Sequence, residues 1–236
     1  VGQQMIKVLG ERKFPIDELR LLASERSAGS IMDTPFGKIK VEEACDSAFK
    51  GMDIVLGAAE NDIAKKAAPA IRAAGAVFVD NSSAFRMDPD VPLVVPEINP
   101  EDALKHHGLI SNPNCSTIIT MVAVNAINKL SPIKCMIAST YQAVSGAGAG
   151  GPIELDAQVN ALLKGEPVSN NVFRYQIAYN LIPEIGGANE EGYASEEMKM
   201  QNEGRKIMHL PELALTCTCV RVPVVRSHSI SASIVT

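Results

Sequence analysis

One cysteine of the chain lies where a short strand ends and a helix begins. Pro113 ends the apolar run Leu109–Ile110, and from Ser116 onwards apolar residues recur at helical spacing. Cys115 is therefore expected at the N-terminus of this helix, with Asn114 among its candidate capping residues. The positive end of a helix dipole favours a thiolate, which is the nucleophilic form of cysteine. The pattern predicts that Cys115 is a nucleophile; the alternative is a small core residue.

Three further polar side chains are candidates for the chemistry around such a thiol. Arg221 lies on an alternating strand, on the face of two other cysteines, where it is either paired with an internal acid or presented to an anion. His228 follows the strand break at Pro223, so both side chains can point into one site. Gln142 follows another predicted strand, where it either orients a reacting carbonyl or is an ordinary strand amide.

Two sets of residues suit the binding of charged groups. Glu196 and Lys199 are three apart at the start of a predicted helix and share a face. The alternative is that Glu196 only complements the helix dipole after Ser195 as N-cap. Arg86 lies in a loop beyond a predicted parallel strand, where a phosphate can be held.

Two loops have the composition of nucleotide-binding turns. Arg26 and Ser27 follow the strand Leu19–Ala23, and an arginine at this place in a dinucleotide fold suits a 2′-phosphate; the alternative is a solvated polar turn. Gly146–Gly151 matches the pattern G-x-G-x-x-G, but no acid and no further parallel strand follow at the required spacing. We interpret it as a loop, including Ser145, that lets backbone approach a ligand closely.

Composition narrows the class of protein. The chain has 236 residues and a net charge of −5, which argues against nucleic acid or an anionic membrane as the main partner. No apolar run approaches the roughly 18 residues that span a bilayer. The five cysteines are irregularly spaced, so a reducing cytoplasm fits better than a disulfide framework. Cys217-x-Cys219 lacks metal-ligand spacing, and we expect no metal site.

The order of predicted elements indicates an α/β protein with two domains. Strands and helices alternate in the first half, which is typical of βαβ units and a mostly parallel sheet. Its predicted elements are helices 3–11 and 63–74 and strands 19–23, 52–57, 76–80, 91–95 and 109–110. In the second half, strands 135–141, 214–225 and 229–235 alternate apolar and polar residues like a half-buried antiparallel sheet, with helices at 153–163 and 196–207. We place the boundary near Asn112, giving domains of residues 1–113 and 114–236.

In combination, these segments resemble the bacterial aspartate-β-semialdehyde dehydrogenase family across nearly the whole chain. The resemblance is carried, in this order, by Leu22–Gly29 (LASERSAG), Asp80–Met87 (DNSSAFRM), Asn112–Thr117 (NPNCST), Ser139–Gly148 (STYQAVSGAG), Tyr193–Lys199 and Cys219–His228. It implies a Rossmann-like NADP-binding domain and an α+β catalytic and dimerisation domain of the glyceraldehyde-3-phosphate-dehydrogenase-like type. The implied reaction is the NADPH-dependent reductive dephosphorylation of L-4-aspartyl phosphate to L-aspartate 4-semialdehyde, on the route to lysine, threonine and methionine. A homodimer or dimer of dimers is implied as well.

The resemblance also implies a role for each candidate residue. It makes Cys115 the nucleophile that forms a thioester, His228 the acid/base and Gln142 the neighbour of the reacting acyl group. For the substrate it implies that Arg221 binds the carboxylate, Glu196 the amino group, and Arg86 and Lys199 the phosphate. For the cofactor it implies contacts from Val1, Arg26, Ser27, Ser145 and Gly146.

The sequence departs from the family pattern at both ends. The family's first strand and most of its Gly-rich phosphate turn are absent, leaving Val1-Gly2, and so is the C-terminal segment that completes the cofactor domain. We therefore expect this chain to be part of a longer enzyme. The rival functions are N-acetyl-glutamyl-phosphate reductase, whose acetylated substrate offers no cation to Glu196, and a catalytically silent NADP-binding or dimer-forming fragment.

Overall fold

A computed structural model describes all 236 residues as an α/β protein with five α-helices and nine strands. The helices are α1 (Gly2–Glu11), α2 (Asn61–Ala73), α3 (Cys115–Asn128), α4 (Gly150–Lys164) and α5 (Ser195–Ile207). The strands are β1 (Leu21–Ala23), β2 (Ile31–Thr34), β3 (Gly37–Glu43), β4 (Ile54–Gly57), β5 (Val77–Asp80), β6 (Leu109–Ser111), β7 (Cys135–Gln142), β8 (Ala214–Arg221) and β9 (His228–Val235). None of the helices has the length and apolar character needed to cross a bilayer.

The chain forms two compact units. The first comprises residues 1–92 and 105–112, and the second comprises residues 93–104 and 113–236. In the first unit, β4, β5 and β6 form a parallel sheet, while β3 pairs in parallel with β1 and in antiparallel fashion with β2. The apolar face of α2 packs on β5, so that Ala64, Ala68 and Ile71 share a core with Phe78. Parallel strands joined through a helix are the βαβ arrangement that the sequence predicts.

The second unit is built on the sheet β8–β7–β9. Strand β7 lies in the centre, parallel to β8 and antiparallel to β9 over eight residue pairs each. Helices α3 and α5 cover one face, where Met121 and Met200 pack against Met136 and Leu215 in the largest core of the chain. Burial of each such side chain contributes about 1.5–3 kcal/mol, which fixes the two helices against the central strand.

Two sequence-based expectations about the elements are wrong, and one pair of strands was missed. The second sheet is mixed rather than antiparallel, because the chain between β7 and β8 crosses over through two helices. The residues 91–95 form no strand; two of them are buried with Ile207, and the Val95 amide donates to Asn99 Oδ1 at 2.8 Å instead of joining a ladder. The β2–β3 hairpin was not predicted, because lysine and glutamate dominate β3 and Val41 is the single buried residue of the two strands, so the apolar signal of a strand is weak.

Candidate active site

The ends of all three strands of the second sheet meet at one position. Gln142, the last residue of β7, is paired with Arg221, the last residue of β8, and with His228, the first residue of β9. Directly opposed residues of neighbouring strands project to the same face of a sheet. The sheet therefore places these three predicted side chains together, although they are far apart in sequence.

Helix α3 supplies the thiol. Cys115 is its first residue, and the prediction of a helix N-terminus capped by Asn114 is confirmed: Asn114 Oδ1 accepts hydrogen bonds from the amides of Ser116 at 3.0 Å and Thr117 at 3.2 Å. The thiol is exposed to solvent, and its Sγ lies 3.5 Å from His228 Nε2. A nucleophile and a proton-carrying ring within reach of each other are the pattern of covalent catalysis.

Helix α5 contributes the acid at the centre of the site. Glu196 Oε1 accepts hydrogen bonds from Asn114 Nδ2 at 2.8 Å and Gln142 Nε2 at 3.0 Å, while Lys199 Nζ lies 3.2 Å from Oε2. The expectation that Ser195 is the N-cap is wrong: Ala194 holds that position, and its amide donates to the side chain of the third helical residue at 2.8 Å. Glu196 therefore binds Asn114, the N-cap of the helix that begins at Cys115, in addition to any interaction with the dipole of α5.

Gln142 is buried and uses both ends of its amide within the protein. Its Oε1 accepts from Thr140 Oγ1 at 3.0 Å, and its Nε2 donates to Glu196. One N–H of the amide remains for a ligand. These two bonds fix the orientation of the amide, because its oxygen must face the hydroxyl of Thr140 and its nitrogen must face Glu196.

The loop after β7 encloses Arg221. The buried guanidinium donates from Nη1 to the carbonyl of Ala143 at 2.7 Å, and its other N–H groups make no hydrogen bond within the chain. A Cβ at Gly146 would lie 2.7 Å from Arg221 Nη1 and 3.4 Å from the His228 ring, so only glycine lets this backbone approach both groups. Ser145 precedes it, half-buried, in a short 3₁₀ turn.

The protonation states follow from burial and the neighbouring charges. Although Cys115 has an exposed surface, the protein atoms packed around Sγ displace much of the surrounding water, and this desolvation first, and the carboxylate of Glu196 second, raise the pKa of Cys115; Ser116 and Arg221 act in the opposite direction. Ser116, at the start of the helix, favours the thiolate in the expected direction, but burial and Glu196 outweigh it in the free protein. Burial lowers the pKa of His228, so its ring is neutral at neutral pH. Burial alone would raise the pKa of Glu196, but Asn114, Gln142 and Lys199 outweigh it and lower that pKa.

The remaining predicted residues lie in the first compact unit. Val1 is exposed at the start of α1, and Arg26 and Ser27 lie in the exposed turn after β1. The Arg26 guanidinium makes no hydrogen bond or ion pair within the chain, so an unneutralised cation beside serine hydroxyls suits a phosphate group. Arg86 is buried and donates from Nη2 to the carbonyl of Asn81 at 2.8 Å.

Two positioning residues were missed from the sequence. The amide of Asn114 donates to Glu203 Oε2 at 2.6 Å, so two acids of α5 hold the residue before the thiol. The usable signal was the spacing of seven between Glu196 and Glu203, which is two helical turns on one face. Thr140, which orients Gln142, gives no such signal. No group of three or more His, Cys, Asp or Glu residues in the chain is arranged to hold a metal ion.

Comparison with known proteins gives one consistent family. Residues 1–106 match the family model of the semialdehyde dehydrogenase NAD binding domain, and residues 124–236 match that of the semialdehyde dehydrogenase dimerisation domain. The chain is 47% identical to an aspartate-semialdehyde dehydrogenase of Synechocystis over 97% of the chain and 68% of that protein. It is 46% identical to the Bacillus subtilis enzyme of that name over 99% and 70%.

Solved structures agree with these relatives. The crystal structure of aspartate semialdehyde dehydrogenase II from Vibrio cholerae matches with a TM-score of 0.97 and 43% identity, over 100% of this chain and 71% of that one. A second structure of the Vibrio cholerae protein, complexed with ASA, matches with a TM-score of 0.96 and 42% identity, over 99% and 70%.

Proposed function

The chain belongs to the aspartate-semialdehyde dehydrogenase family, and from this premise we propose that it catalyses the reductive dephosphorylation of L-4-aspartyl phosphate to L-aspartate 4-semialdehyde with NADPH. The reaction lies on the route to lysine, threonine and methionine. The observation that carries the proposal is the exposed thiol of Cys115, 3.5 Å from His228 and bordered by an acid and a buried arginine. A carboxylate, an amine and an acyl phosphate on one substrate require this set of charges.

The chain's own residues bind and orient the substrate. Arg221 receives the α-carboxylate, because a guanidinium with free N–H groups binds a carboxylate in bidentate fashion. Glu196, whose lowered pKa keeps it ionised, receives the ammonium group. Lys199 and Arg86 bind the phosphate in the proposal, and the free N–H of Gln142 lies beside the acyl group. Cys115 Sγ adds to the acyl carbon, a thioester forms, and phosphate leaves, with His228 as the acid/base group.

We propose that the nicotinamide cofactor is NADP, because the turn after β1 carries a positive charge. Arg26 and Ser27 present a cation and a hydroxyl for a 2′-phosphate, which NAD lacks. Val1 at the start of α1 and the loop residues Ser145 and Gly146 complete the proposed cofactor contacts. When bound, the cofactor supplies the hydride that reduces the thioester.

We further propose that the two halves of the chain have different functions. Residues 1–113 form the cofactor domain, and residues 114–236 form the catalytic domain, through which two copies form a homodimer. The match of residues 124–236 to a dimerisation domain supports the dimer. A dimer of dimers is the larger assembly to test.

The proposal is tested by the reverse reaction, with aspartate semialdehyde, phosphate and NADP, followed by the absorbance of NADPH. Cys115→Ala is expected to abolish activity, because no other thiol lies beside His228. Cys45→Ala is the matched control, because Cys45 is also exposed and lies in the first unit; it should retain activity. Full activity of Cys115→Ala contradicts the mechanism, and comparable rates with NAD contradict the role given to Arg26.

A further inference from the structure

The second nitrogen of the His228 ring is bonded to a group that can only donate. The backbone amide of Ala143 donates to His228 Nδ1 at 3.0 Å. Because the N–H of a peptide carries no lone pair, Nδ1 must present its own lone pair and hold no proton. A neutral imidazole carries one proton, so that proton lies on Nε2, the atom 3.5 Å from Cys115 Sγ.

From this geometry we propose that the Ala143 amide holds His228 as a neutral imidazole whose Nε2–H donates a hydrogen bond to Cys115 Sγ and then to the oxyanion of the reacting acyl group. For the step that forms the thioester, this donor role replaces the acid/base role that the proposed function gives His228, because a ring already protonated on Nε2 cannot remove the thiol proton. The tautomer is a property of the chain itself, and its catalytic consequence rests on the proposed function. Ala143 acts through His228 and is a positioning residue.

The protein fixes this amide firmly. Ala143 is fully buried, and its carbonyl accepts a hydrogen bond from Arg221 Nη1 at 2.7 Å. The residues on both sides are also bonded, since Gln142 ends β7 and the amide of Val144 donates to the carbonyl of Val224 at 2.9 Å. The Ala143 N–H therefore has no freedom to turn away from the ring.

The other protonation states of His228 conflict with this contact. The Nδ1–H tautomer and the imidazolium ion both place an N–H against the N–H of Ala143. Among the neighbouring groups, a hydrogen bond with the backbone of Ser227 and the charge of Glu196 favour protonation, whereas the charge of Arg221 opposes it. Burial adds to the effect of Arg221, so the neutral Nε2–H form prevails near neutral pH.

A hydrogen-bond donor is sufficient for the step at the acyl phosphate. The exposed thiol of Cys115 loses its proton to solvent water, and the Nε2–H stabilises the resulting thiolate. When the S–C bond forms, the carbonyl π electrons move onto oxygen, where the same N–H stabilises the charge. That electron pair re-forms the C=O bond as the bond between the acyl carbon and the bridging phosphate oxygen breaks, and phosphate leaves with this oxygen and the bonding pair. No proton passes to or from His228 in this step.

The tautomer can be measured directly. In protein labelled with ¹⁵N-histidine, two-bond proton–nitrogen correlation spectra distinguish Nδ1–H, Nε2–H and imidazolium rings. The four histidines give four patterns, and the spectrum of His228→Gln identifies the pattern that belongs to His228. We expect the Nε2–H form at pH 7, persisting below the ordinary histidine pKa of about 6.5. An Nδ1–H or imidazolium pattern at pH 7 overturns the proposal.

A backbone change tests whether Ala143 is the cause. Replacing the residue by lactic acid converts this amide N–H to an ester oxygen and leaves the side chain unchanged. The Nδ1-protonated fraction of His228 is then expected to rise, together with the pKa of the ring. The same exchange at Ala161, on α4 away from the ring, is the control. An unchanged His228 pattern in the ester at 143 overturns the role of this amide.

If His228 acts as a hydrogen-bond donor, the rate of Cys115 alkylation should differ between His228 variants, and this rate can be measured without enzyme turnover. His228→Gln places an amide N–H near the position of Nε2, whereas His228→Ala places nothing there. The Cys115 thiolate should be alkylated by iodoacetamide at pH 7 about tenfold faster in the glutamine variant than in the alanine variant. Peptide mass spectrometry assigns the modified cysteine, and circular dichroism confirms that both variants fold. Equal rates in two folded variants contradict a donor role, whether or not the proposed substrate is correct.

Discussion

At the scale of single residues, the reactivity of the thiol depends on the state of Glu196. Burial is the main cause of the raised pKa of Cys115, and the carboxylate that binds Asn114, Gln142 and Lys199 raises it further. In the proposed mechanism an ammonium group binds at Glu196 and offsets this negative charge, so we expect substrate binding to lower the pKa of the thiol as the acyl group arrives. The free protein consequently keeps Cys115 protonated and protected from unspecific electrophiles.

Removing that charge gives the first prediction. Glu196→Gln keeps the shape and the acceptor oxygen but deletes the carboxylate, so the pKa of Cys115 should fall and its alkylation profile should shift to lower pH. The KM for aspartate semialdehyde should rise about 10- to 100-fold, because a hydrogen bond to a charged group is lost. Iodoacetamide kinetics between pH 6 and 10, roughly spanning the cysteine pKa, measure the first effect, and the reverse assay measures the second.

Glu190→Gln is the matched control for this change. Glu190 is exposed and has no hydrogen bond or ion pair within the chain, so both properties should stay unchanged. An alkylation profile of Glu196→Gln that stays in place or moves to higher pH contradicts the electrostatic account.

At the scale of elements, the site depends on how closely the loop after β7 approaches the two neighbouring strand ends. Gly146→Ala places a methyl group 2.7 Å from Arg221 Nη1 and 3.4 Å from His228. The backbone φ of Gly146 is not positive, so the substitution strains contacts rather than the backbone. We expect kcat/KM in the reverse assay to fall about 10- to 100-fold, since a displacement near 1 Å in a catalytic group costs this much.

Gly187→Ala is the control for the glycine change, because a Cβ there meets nothing within 4 Å. Urea unfolding distinguishes a local displacement from a loss of fold: the free energy of unfolding of Gly146→Ala should stay within about 1 kcal/mol of the parent. Unchanged kcat/KM in Gly146→Ala would show that the close approach has no part in catalysis.

The same comparison of elements shows what local sequence can predict. The helix beginning at Cys115 and its cap Asn114 were predicted, because capping and helical periodicity are local signals. The register that sets Gln142 between Arg221 and His228 was not, because it depends on pairing across about 80 residues of intervening chain. The hydrogen bond from the Ala143 amide to His228 was equally invisible, since any residue type supplies a backbone N–H.

The segment of residues 91–95 shows why apolar composition alone misleads. Its run of valine and leucine reads as a buried strand, but proline removes a backbone donor at position 92 and again at 96. Its side chains are largely buried all the same: Leu93 and Val95 pack against Ile207 of α5 in the second compact unit, and Val91 lies in the core of the first. Burial was thus predicted correctly, and the secondary structure was not.

At the scale of the whole molecule, the sheet of the second unit has one covered face and one exposed face. Ile137 and Tyr141 of β7 are 55% and 45% exposed on the face opposite α3 and α5. Their neighbours across the strands are short, mostly serine and threonine, which leaves the surface flat. A flat face with large exposed apolar side chains, in a segment that matches a dimerisation domain, is the surface on which we expect the second copy.

The last prediction tests this surface. A two-fold axis places each interface residue in the contact twice, so Ile137→Lys introduces two buried charges per dimer and should yield monomers. Sedimentation equilibrium across a range of protein concentrations measures the shift. Ile63→Lys is the control, because Ile63 is 56% exposed but lies on α2 in the first unit; it should remain dimeric. If Ile137→Lys sediments as the same dimer as Ile63→Lys, the second copy binds elsewhere. If Ile137→Lys is monomeric but retains the Cys115 alkylation profile, then the environment of the thiol is complete within one chain. The structure leads us to expect this, because His228 beside the thiol and Glu196, which binds Asn114, all belong to the same chain.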